Sequence, residues 1–181
     1  MRSRYRHFRF EGPYNFLRGE WRDVVDDGAI TYRMTAWDGE TGKPRAIIRA
    51  GSTDAKGILD IGESKNGRRR LEEFVAAIDG KPRSHRAGWD YYNYGFSKAF
   101  PPKDLRIEFV HLESKELAQA LERALLEEYR WHYKDRPPLN ASLGHWRPVE
   151  AWLESKGHKP RDEQGWLDLS RFRARLRSPA T

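Results

Sequence analysis

Cysteine is absent from this chain of 181 residues. Its absence excludes disulfide frameworks, thiolate zinc sites and cysteine nucleophiles, and it fits a reducing compartment. Long apolar runs are also lacking, because no window approaches the roughly 18 apolar residues that a bilayer-spanning helix needs. The basic N-terminal segment MRSRYRHFRF has no apolar centre of the kind a secretory signal carries. We therefore expect a soluble protein without membrane contacts and with a cytoplasmic location.

Hydrophobic residues make up 38% of the chain, and seven residues are tryptophan. This content is enough for a modest core, which excludes wholesale disorder and predicts one domain, or one small domain with extensions. The formal net charge is +7. Such an excess of positive charge favours a polyanionic partner, with nucleic acid as the first choice. The alternative is a basic protein that binds nothing acidic.

Strand patterns, in which β-branched and aromatic residues are concentrated or alternate with polar ones, occur at residues 29–37, 46–50, 58–61 and 105–112. The turn cluster DGETGKP separates the first two patterns and predicts that they form a hairpin. Residues 52–57 are expected to be a polar loop, and the third strand is expected to end at Gly62.

Helical periodicity predicts four helices: one that begins at residues 64–66 and ends before Gly80, and three over residues 114–134, 148–156 and 164–177. Residues 85–96 indicate a loop or a short irregular helix. Residues 1–28 mix arginine with aromatic side chains and indicate short strands or an arm.

Three consecutive arginines, Arg68 to Arg70, open the first predicted helix. Their side chains point in directions about 100° apart, and Arg70 lies at the margin of the apolar face, near Phe74. A guanidinium held at such a boundary can make two parallel hydrogen bonds to a phosphate. The alternative is a solvated basic face with no ligand.

The longest predicted helix carries Glu122 within its apolar arc, between Tyr129 and Tyr133 on the helical wheel. A carboxylate at such a position is costly unless an arginine or a metal ion pairs with it. Glu128 also lies on the apolar side, so the wheel alone does not distinguish the two. The alternative for Glu122 is an ordinary salt bridge at the helix edge.

Tyr32 lies in the first strand pattern, where a tyrosine more often packs than reacts. The surrounding sequence nevertheless resembles the GIY-YIG nuclease family over residues 28–140. Residues 30–32, ITY, stand where the first motif of that family stands, and residues 60–62, DIG, stand where the second does.

Two helix residues extend the resemblance. Arg70 follows Gly62 by eight positions, as the catalytic arginine of the family follows its second motif. Glu122 stands three residues before the pair Leu125 and Leu126, which matches the metal-binding glutamate of the family.

The resemblance implies a fold of the α/β (α+β) class. It consists of a small, mainly antiparallel central sheet flanked by helices. An N-terminal arm would cover residues 1–27, a nuclease-like core residues 28–141, and a C-terminal helical extension residues 142–181.

The resemblance also implies metal-dependent hydrolysis of phosphodiester bonds in nucleic acid, in DNA more than in RNA. Tyr32 would be the general base, with its pKa lowered from about 10 by nearby positive charge. Arg70 would stabilise charge on the phosphoryl oxygens, and Glu122 would hold one Mg²⁺ (or Mn²⁺). Asn140, in the sequence PPLN, would tie a loop to the site; the alternative is a simple turn residue.

Two positions depart from the family pattern. Asp60 replaces the second motif tyrosine, where it could bind metal, orient a water or mark lost activity. One turn after the arginine, restriction-type members often carry His or Tyr, and this chain has Phe74. The role would then fall to a residue of the following loop: His85, Tyr91, Tyr92 or Tyr94.

The segment between Tyr32 and Gly62 is longer than in minimal members and as wide as in some restriction enzymes. It favours a restriction or defence enzyme over a repair module, and it adds Lys43 as a further candidate cation. A double-strand cutter with one site per chain would need to pair, so a homodimer is a further expectation. Two other classes stay open: an inactive nucleic-acid-binding module on the same scaffold, and a basic protein-interaction domain.

Overall fold

The computed structural model describes residues 3–81, 85–144 and 147–175. The chain has a mixed α+β fold, in which a curled antiparallel sheet is flanked by helices. The fold class predicted from the sequence is therefore confirmed.

The described residues form seven strands and five α-helices. The strands are β1 (Glu11–Asn15), β2 (Ala29–Asp38), β3 (Lys43–Pro44), β4 (Ile47–Ile48), β5 (Thr53–Asp54), β6 (Ile58–Ser64) and β7 (Leu105–Leu112). The helices are α1 (Gly67–Ile78), α2 (Arg86–Asn93), α3 (Phe96–Ala99), α4 (Lys115–Tyr133) and α5 (Arg147–Ser155).

β2 is the central strand of the sheet. It pairs antiparallel with β7 on one side and with β6 on the other, and β1 pairs with the outer side of β7. Alternate side chains of β2 face two cores. Tyr32 packs with Phe74 of α1 on one face. On the other face Thr31 donates a hydrogen bond of 2.9 Å to the carbonyl oxygen of Ala118 in α4.

The first described residues belong to this core. β1 is part of the sheet, and Phe16, Trp21 and Val25 are buried in the core on the α1 side. Tyr5 and Phe8 are buried in the core on the α4 side. Of the two alternatives predicted for residues 1–28, a short strand is present as β1, and residues 3–27 are part of the core and not an arm outside it.

Residues 46–50 do not form the predicted hairpin with the first strand. The last residues of β2 pair with β3. β4, which lies within residues 46–50, pairs instead with β5, which lies within the segment expected to be a polar loop. Asp54 supplies a physical reason. Its buried carboxylate accepts hydrogen bonds from the backbone N–H of Ile58 and from the hydroxyl of Tyr129, which fold the segment against α4.

Three of the predicted helices are confirmed as α1, α4 and α5. Asn66 caps α1 by accepting a hydrogen bond of 2.9 Å from the backbone N–H of Arg69. Ser114 caps α4 in the same way. β6 continues through Gly62 to Ser64, beyond its predicted end. Residues 85–96 contain the regular helix α2.

The predicted helix over residues 164–177 is wrong for residues 164–175, which form turns; residues 176 and 177 lie outside the described residues. The carboxylate of Asp162 accepts hydrogen bonds of 2.9 and 3.0 Å from the backbone N–H groups of Gln164 and Trp166. Such local side-chain bonds replace the hydrogen bonds that a helix would make.

Candidate active site

Four elements meet at the outer edge of β6. Tyr32 lies on β2, Asp60 on β6, Arg70 on α1 and Glu122 on α4. Each of these residues shifts the pKa of at least one of the others, so their side chains share one electrostatic environment. The structure thus brings together the three residues that the sequence indicated as catalytic, and it adds Asp60 to them.

Tyr32 is buried, and its hydroxyl oxygen lies 3.0 Å from Nε2 of His85. Gly62 is its direct partner across the β2–β6 ladder. A β-carbon at position 62 would lie 2.3 Å from that hydroxyl oxygen, which is closer than two such atoms can approach. The motif glycine is therefore needed because the tyrosine ring lies across the strand at this point.

His85 caps α2, where its Nδ1 accepts a hydrogen bond of 3.4 Å from the backbone N–H of Gly88. Burial, together with the charge of Arg70, lowers the pKa of His85 to about 2, so the imidazole is neutral. A neutral imidazole that accepts at Nδ1 carries its proton on Nε2. His85 therefore donates to the oxygen of Tyr32, and the tyrosine's own proton is left for another acceptor.

Asp60 is that acceptor. It is buried and lies on the same face of the sheet as Tyr32, because it pairs with Met34 two positions further along β2. Burial raises the pKa of Asp60 to about 6, against the opposing effects of Arg70 and of its hydrogen bond with Tyr32. Asp60 is mostly ionised at neutral pH and can accept a proton.

Burial, and then the negative charge of Asp60, raise the pKa of Tyr32 well above its usual range. The charge of Arg70 acts in the opposite direction but does not prevail. The expectation that nearby positive charge brings this pKa below its usual range is therefore wrong. Tyr32 is therefore a protonated hydroxyl at neutral pH.

Arg70 extends from the first turn of α1 and is half-buried. Burial alone would lower the pKa of Arg70, but Tyr32, Asp60 and Glu73 together raise it, so the guanidinium stays charged. Its Nε is buried and makes no hydrogen bond to any of the described residues. An unmet buried donor is unfavourable, and an oxygen atom of a ligand would satisfy it.

Glu122 is half-buried on α4. Burial raises its pKa to about 8, with further contributions from Glu63 and Asp60 and against the charge of Arg70. A β-carbon on Gly144 would lie 3.0 Å from Oε2 of Glu122, so the backbone after α4 approaches the carboxylate closely.

Sequence reasoning missed Glu63. It directly follows the motif glycine on β6, and its pairing with Thr31 puts it on the face of the sheet that α4 covers. The alternation of side chains along a strand was the signal that could have placed it near Glu122.

Carboxylate oxygens are the ligands that Mg²⁺ and Mn²⁺ prefer. The repulsion among Glu122, Glu63 and Asp60 fits a divalent cation, because a cation would offset it. Among the described residues, no three His, Asp or Glu side chains are arranged as a ready-made metal site. Mg²⁺ commonly keeps several waters and binds through one or two carboxylates plus substrate phosphates. Glu122, with Glu63 beside it, would hold such an ion.

Asn140 ties the segment after α4 to β6. Its side chain accepts a hydrogen bond of 2.9 Å from the N–H of Ile61 and donates one of 2.7 Å to the carbonyl of the same residue. Lys43 lies outside the cluster. It is exposed on β3 opposite Asp38, about 20 Å of strand away from Tyr32.

Of the residues considered in place of Phe74, His85 is the one that reaches Tyr32. Tyr91 is buried, and its hydroxyl donates to the carbonyl oxygen of Phe100. Tyr92 and Tyr94 are exposed on and just after α2.

Comparison of the chain with protein-family models, with curated proteins and with solved structures finds no match. Among the residues that the structure describes, no helix has both the length and the apolar character needed to cross a membrane. The chemistry of the site follows from its own geometry: a charged guanidinium with an unused donor, a tyrosine that can exchange a proton with a carboxylate, and a carboxylate suited to a cation.

Proposed function

We propose that this chain is a metal-dependent endonuclease of the GIY-YIG type that hydrolyses phosphodiester bonds in DNA. The observation that carries the proposal is the convergence of Tyr32, Arg70 and Glu122, from three distant segments, on one cluster. The net charge of +7 supports a nucleic-acid partner, because it attracts a polyanion.

Arg70 binds the scissile phosphate. Its buried Nε–H has no partner among the described residues, and a phosphate oxygen is an acceptor of the right charge. As negative charge accumulates on the phosphoryl oxygens, this contact strengthens. Arg70 thereby stabilises the transition state more than the ground state.

Tyr32 takes a proton from the attacking water while its own proton moves to Asp60. A tyrosine with a raised pKa is a poor base alone, but a buried carboxylate with a pKa of about 6 can receive the proton that it gives up. His85 donates to the oxygen of Tyr32 and holds it in place. Asp60 would thus serve in place of the second motif tyrosine.

The water oxygen forms a bond to phosphorus as the bond from phosphorus to the leaving oxygen breaks. The leaving oxygen then takes up a proton from solvent. Mg²⁺ or Mn²⁺, when bound, polarises the phosphate and stabilises the leaving oxygen. Glu122 is the residue that would hold the ion. The wide segment between the two motifs favours a restriction or defence enzyme.

An inactive nucleic-acid-binding module is the second candidate. The raised pKa of Tyr32 and the aspartate at position 60 favour it, because both depart from what an active family member is expected to have. Such a module would keep the phosphate contact of Arg70 without cleaving the strand.

Incubation with supercoiled plasmid in Mg²⁺, Mn²⁺ or EDTA tests the proposal. Arg70→Ala and Glu122→Ala are expected to cut at least about 100-fold more slowly than the native protein. Arg69→Ala is the matched control, because its side chain is 69% exposed and makes only a surface ion pair with Glu73. It is expected to cut at the native rate.

If the protein binds DNA but cleaves it with none of the divalent metals, the enzyme proposal is contradicted and the inactive binding module is supported. Absence of any salt-sensitive DNA binding would leave a basic protein-interaction domain. A labelled RNA duplex of the same sequence, run beside the DNA duplex, separates the two nucleic acids.

A further inference from the structure

Three aromatic side chains are exposed on or just after α2. Trp89, Tyr92 and Tyr94 are 40%, 52% and 70% exposed, within six positions of one another. Only two other large hydrophobic side chains of the described residues are exposed to a similar degree, Ile48 and Trp131. We call these three residues the aromatic face of α2.

The aromatic face is held rigidly. Gly88 of α2 packs on α1 so closely that a β-carbon at this position would lie 2.6 Å from the β-carbon of Ala77. The ring of Tyr92 lies against Gly80, just after α1. Trp89 and Tyr94 contact each other with ring centroids 6.3 Å apart and planes at 83°. The three rings therefore present a fixed apolar surface at little entropic cost.

The aromatic face adjoins the candidate active site. Trp89 follows His85, the N-cap of α2, by four residues, which is about 6 Å along the helix. His85 in turn contacts the hydroxyl of Tyr32. The charge of Arg70 contributes to the lowered pKa of His85, so Arg70 also lies near the start of α2. A nucleotide next to a phosphate held by Arg70 would therefore lie near these rings.

The charge around the aromatic face suits a nucleic acid. Arg86 is exposed on the first turn of α2, and Lys98 is exposed at the end of α3. The acidic residue of α2, Asp90, pairs with Arg86 at 3.7 Å and has a mostly buried side chain. Aromatic rings interleaved with cations are the groups that bind single strands, in which each unpaired base offers a flat face for stacking.

We propose that the aromatic face of α2 stacks on unpaired bases next to the scissile phosphate. The preferred substrate is then a nucleic acid with a single-stranded or unpaired segment at the cut, and not a continuous duplex. This inference rests on the proposed function for the position of the phosphate. In a continuous duplex the base faces are already stacked on one another, so the rings have nothing to bind.

The test measures binding in EDTA, where no cleavage occurs. A fluorescein-labelled single strand and the duplex of the same sequence are titrated with native protein, with Trp89→Ala/Tyr92→Ala/Tyr94→Ala and with Tyr94→Ala alone. The native protein is expected to bind the single strand more tightly. Tyr94→Ala is expected to weaken single-strand binding by about tenfold, and the triple variant by more. Both variants are expected to leave duplex binding within about twofold of the native protein.

Two controls accompany the titration. Trp131→Ala removes an exposed tryptophan on α4, about 13 Å of helix beyond Glu122, and is expected to bind both ligands as the native protein does. Trp89→Phe keeps an aromatic ring and is expected to retain single-strand binding. Tyr94→Ala changes the most exposed of the three rings, so it is the variant least able to disturb the fold.

Equal losses for single strand and duplex, or no loss for any variant, would overturn the stacking proposal. The stacking proposal is also overturned if neither ligand shows salt-sensitive binding. In that case a protein partner for the aromatic face would be the remaining explanation. If plasmid cleavage is absent but the single-strand difference appears, the proposed nuclease fails and the stacking surface stands. If cleavage depends on Arg70 but the difference is absent, the stacking proposal alone fails.

Discussion

The ring of Phe74 stacks on the imidazole of His85, with centroids 3.9 Å apart and planes inclined by 7°. Phe74 stands one turn after Arg70, where the family resemblance led us to expect His or Tyr. Here the histidine comes from the start of α2, and Phe74 supports it from α1. The stacking holds His85 in an apolar setting that favours its neutral form.

Replacing His85 tests whether its bond to Tyr32 contributes to the proposed cleavage. The variant His85→Asn would keep the helix cap, since asparagine is a good cap residue, but would lose the imidazole donor to the tyrosine oxygen. For this variant we expect a lower melting temperature, because the buried ring that stacks on Phe74 is lost, and a cleavage rate about tenfold lower, the effect of one lost hydrogen bond.

The pH profile of cleavage distinguishes this positioning role from a titrating one. Since His85 is neutral above about pH 2, the shape of the profile should be the same in His85→Asn and in the native protein, at a lower plateau. A step near pH 6.5 that disappears in the variant would contradict our account. His132→Asn, on α4, is the control for loss of a histidine elsewhere.

Gly62→Ala is expected to displace the ring of Tyr32. The added β-carbon would lie 2.3 Å from the hydroxyl oxygen, and overpacking of this kind costs about 1–3 kcal/mol. Thermal unfolding should therefore shift down by several degrees, about 2–4 °C per kcal/mol, with loss of cleavage. In Gly39→Ala the new atom meets the end of the flexible Asp104 side chain, so this control should stay near native.

The raised pKa of Glu122 predicts how stability depends on pH in EDTA. The folded protein holds a proton on Glu122 up to about pH 8, whereas the unfolded chain releases it near pH 4.5. The unfolded state therefore binds fewer protons across this window, and the free energy of unfolding should fall as pH rises through it. Glu122→Gln should flatten the decline, which thermal melts at successive pH values would measure.

Divalent cations should reverse this decline, since they bind the deprotonated carboxylate. We expect millimolar Mg²⁺ or Mn²⁺ to raise the melting temperature more at pH 8.5 than at pH 6, and not to do so in Glu122→Gln. Equal stabilisation of the variant and the native protein would show that the ion binds elsewhere.

Asn140→Ala is expected to reduce stability by about 2 kcal/mol, because two hydrogen bonds to the backbone of Ile61 are lost. Chemical denaturation with urea measures the difference. Asn93→Ala removes one exposed hydrogen bond to Trp89 and should change stability by less than about 0.5 kcal/mol. If the two variants are equally stable, Asn140 does not fasten the segment after α4.

Local signals in the sequence were sufficient to predict much of the fold. Caps at Asn66 and Ser114 and the apolar periodicity that follows them located α1 and α4, because both features act within a few residues. Motif spacing also predicted Tyr32, Arg70 and Glu122 as site residues.

What the sequence did not indicate depends on tertiary contacts. The β4–β5 pairing requires Asp54 to meet Tyr129, which lies 75 positions later in the chain. The raised pKa of Tyr32 arises from burial and from Asp60, neither of which a strand pattern reveals. The residues after Asp162 have helical periodicity, but they do not form a helix because the Asp162 side chain accepts hydrogen bonds from their backbone N–H groups.

The hydrogen bonds that the 139–140 segment makes to β6 also bear on quaternary structure. Leu139 donates to the carbonyl of Leu59, and Asn140 occupies both backbone groups of Ile61. Main-chain groups that are already engaged cannot template the addition of a strand from another molecule. Two copies that associate to cut both strands of a duplex would therefore join through side-chain surfaces, and their sheets would not merge at this border.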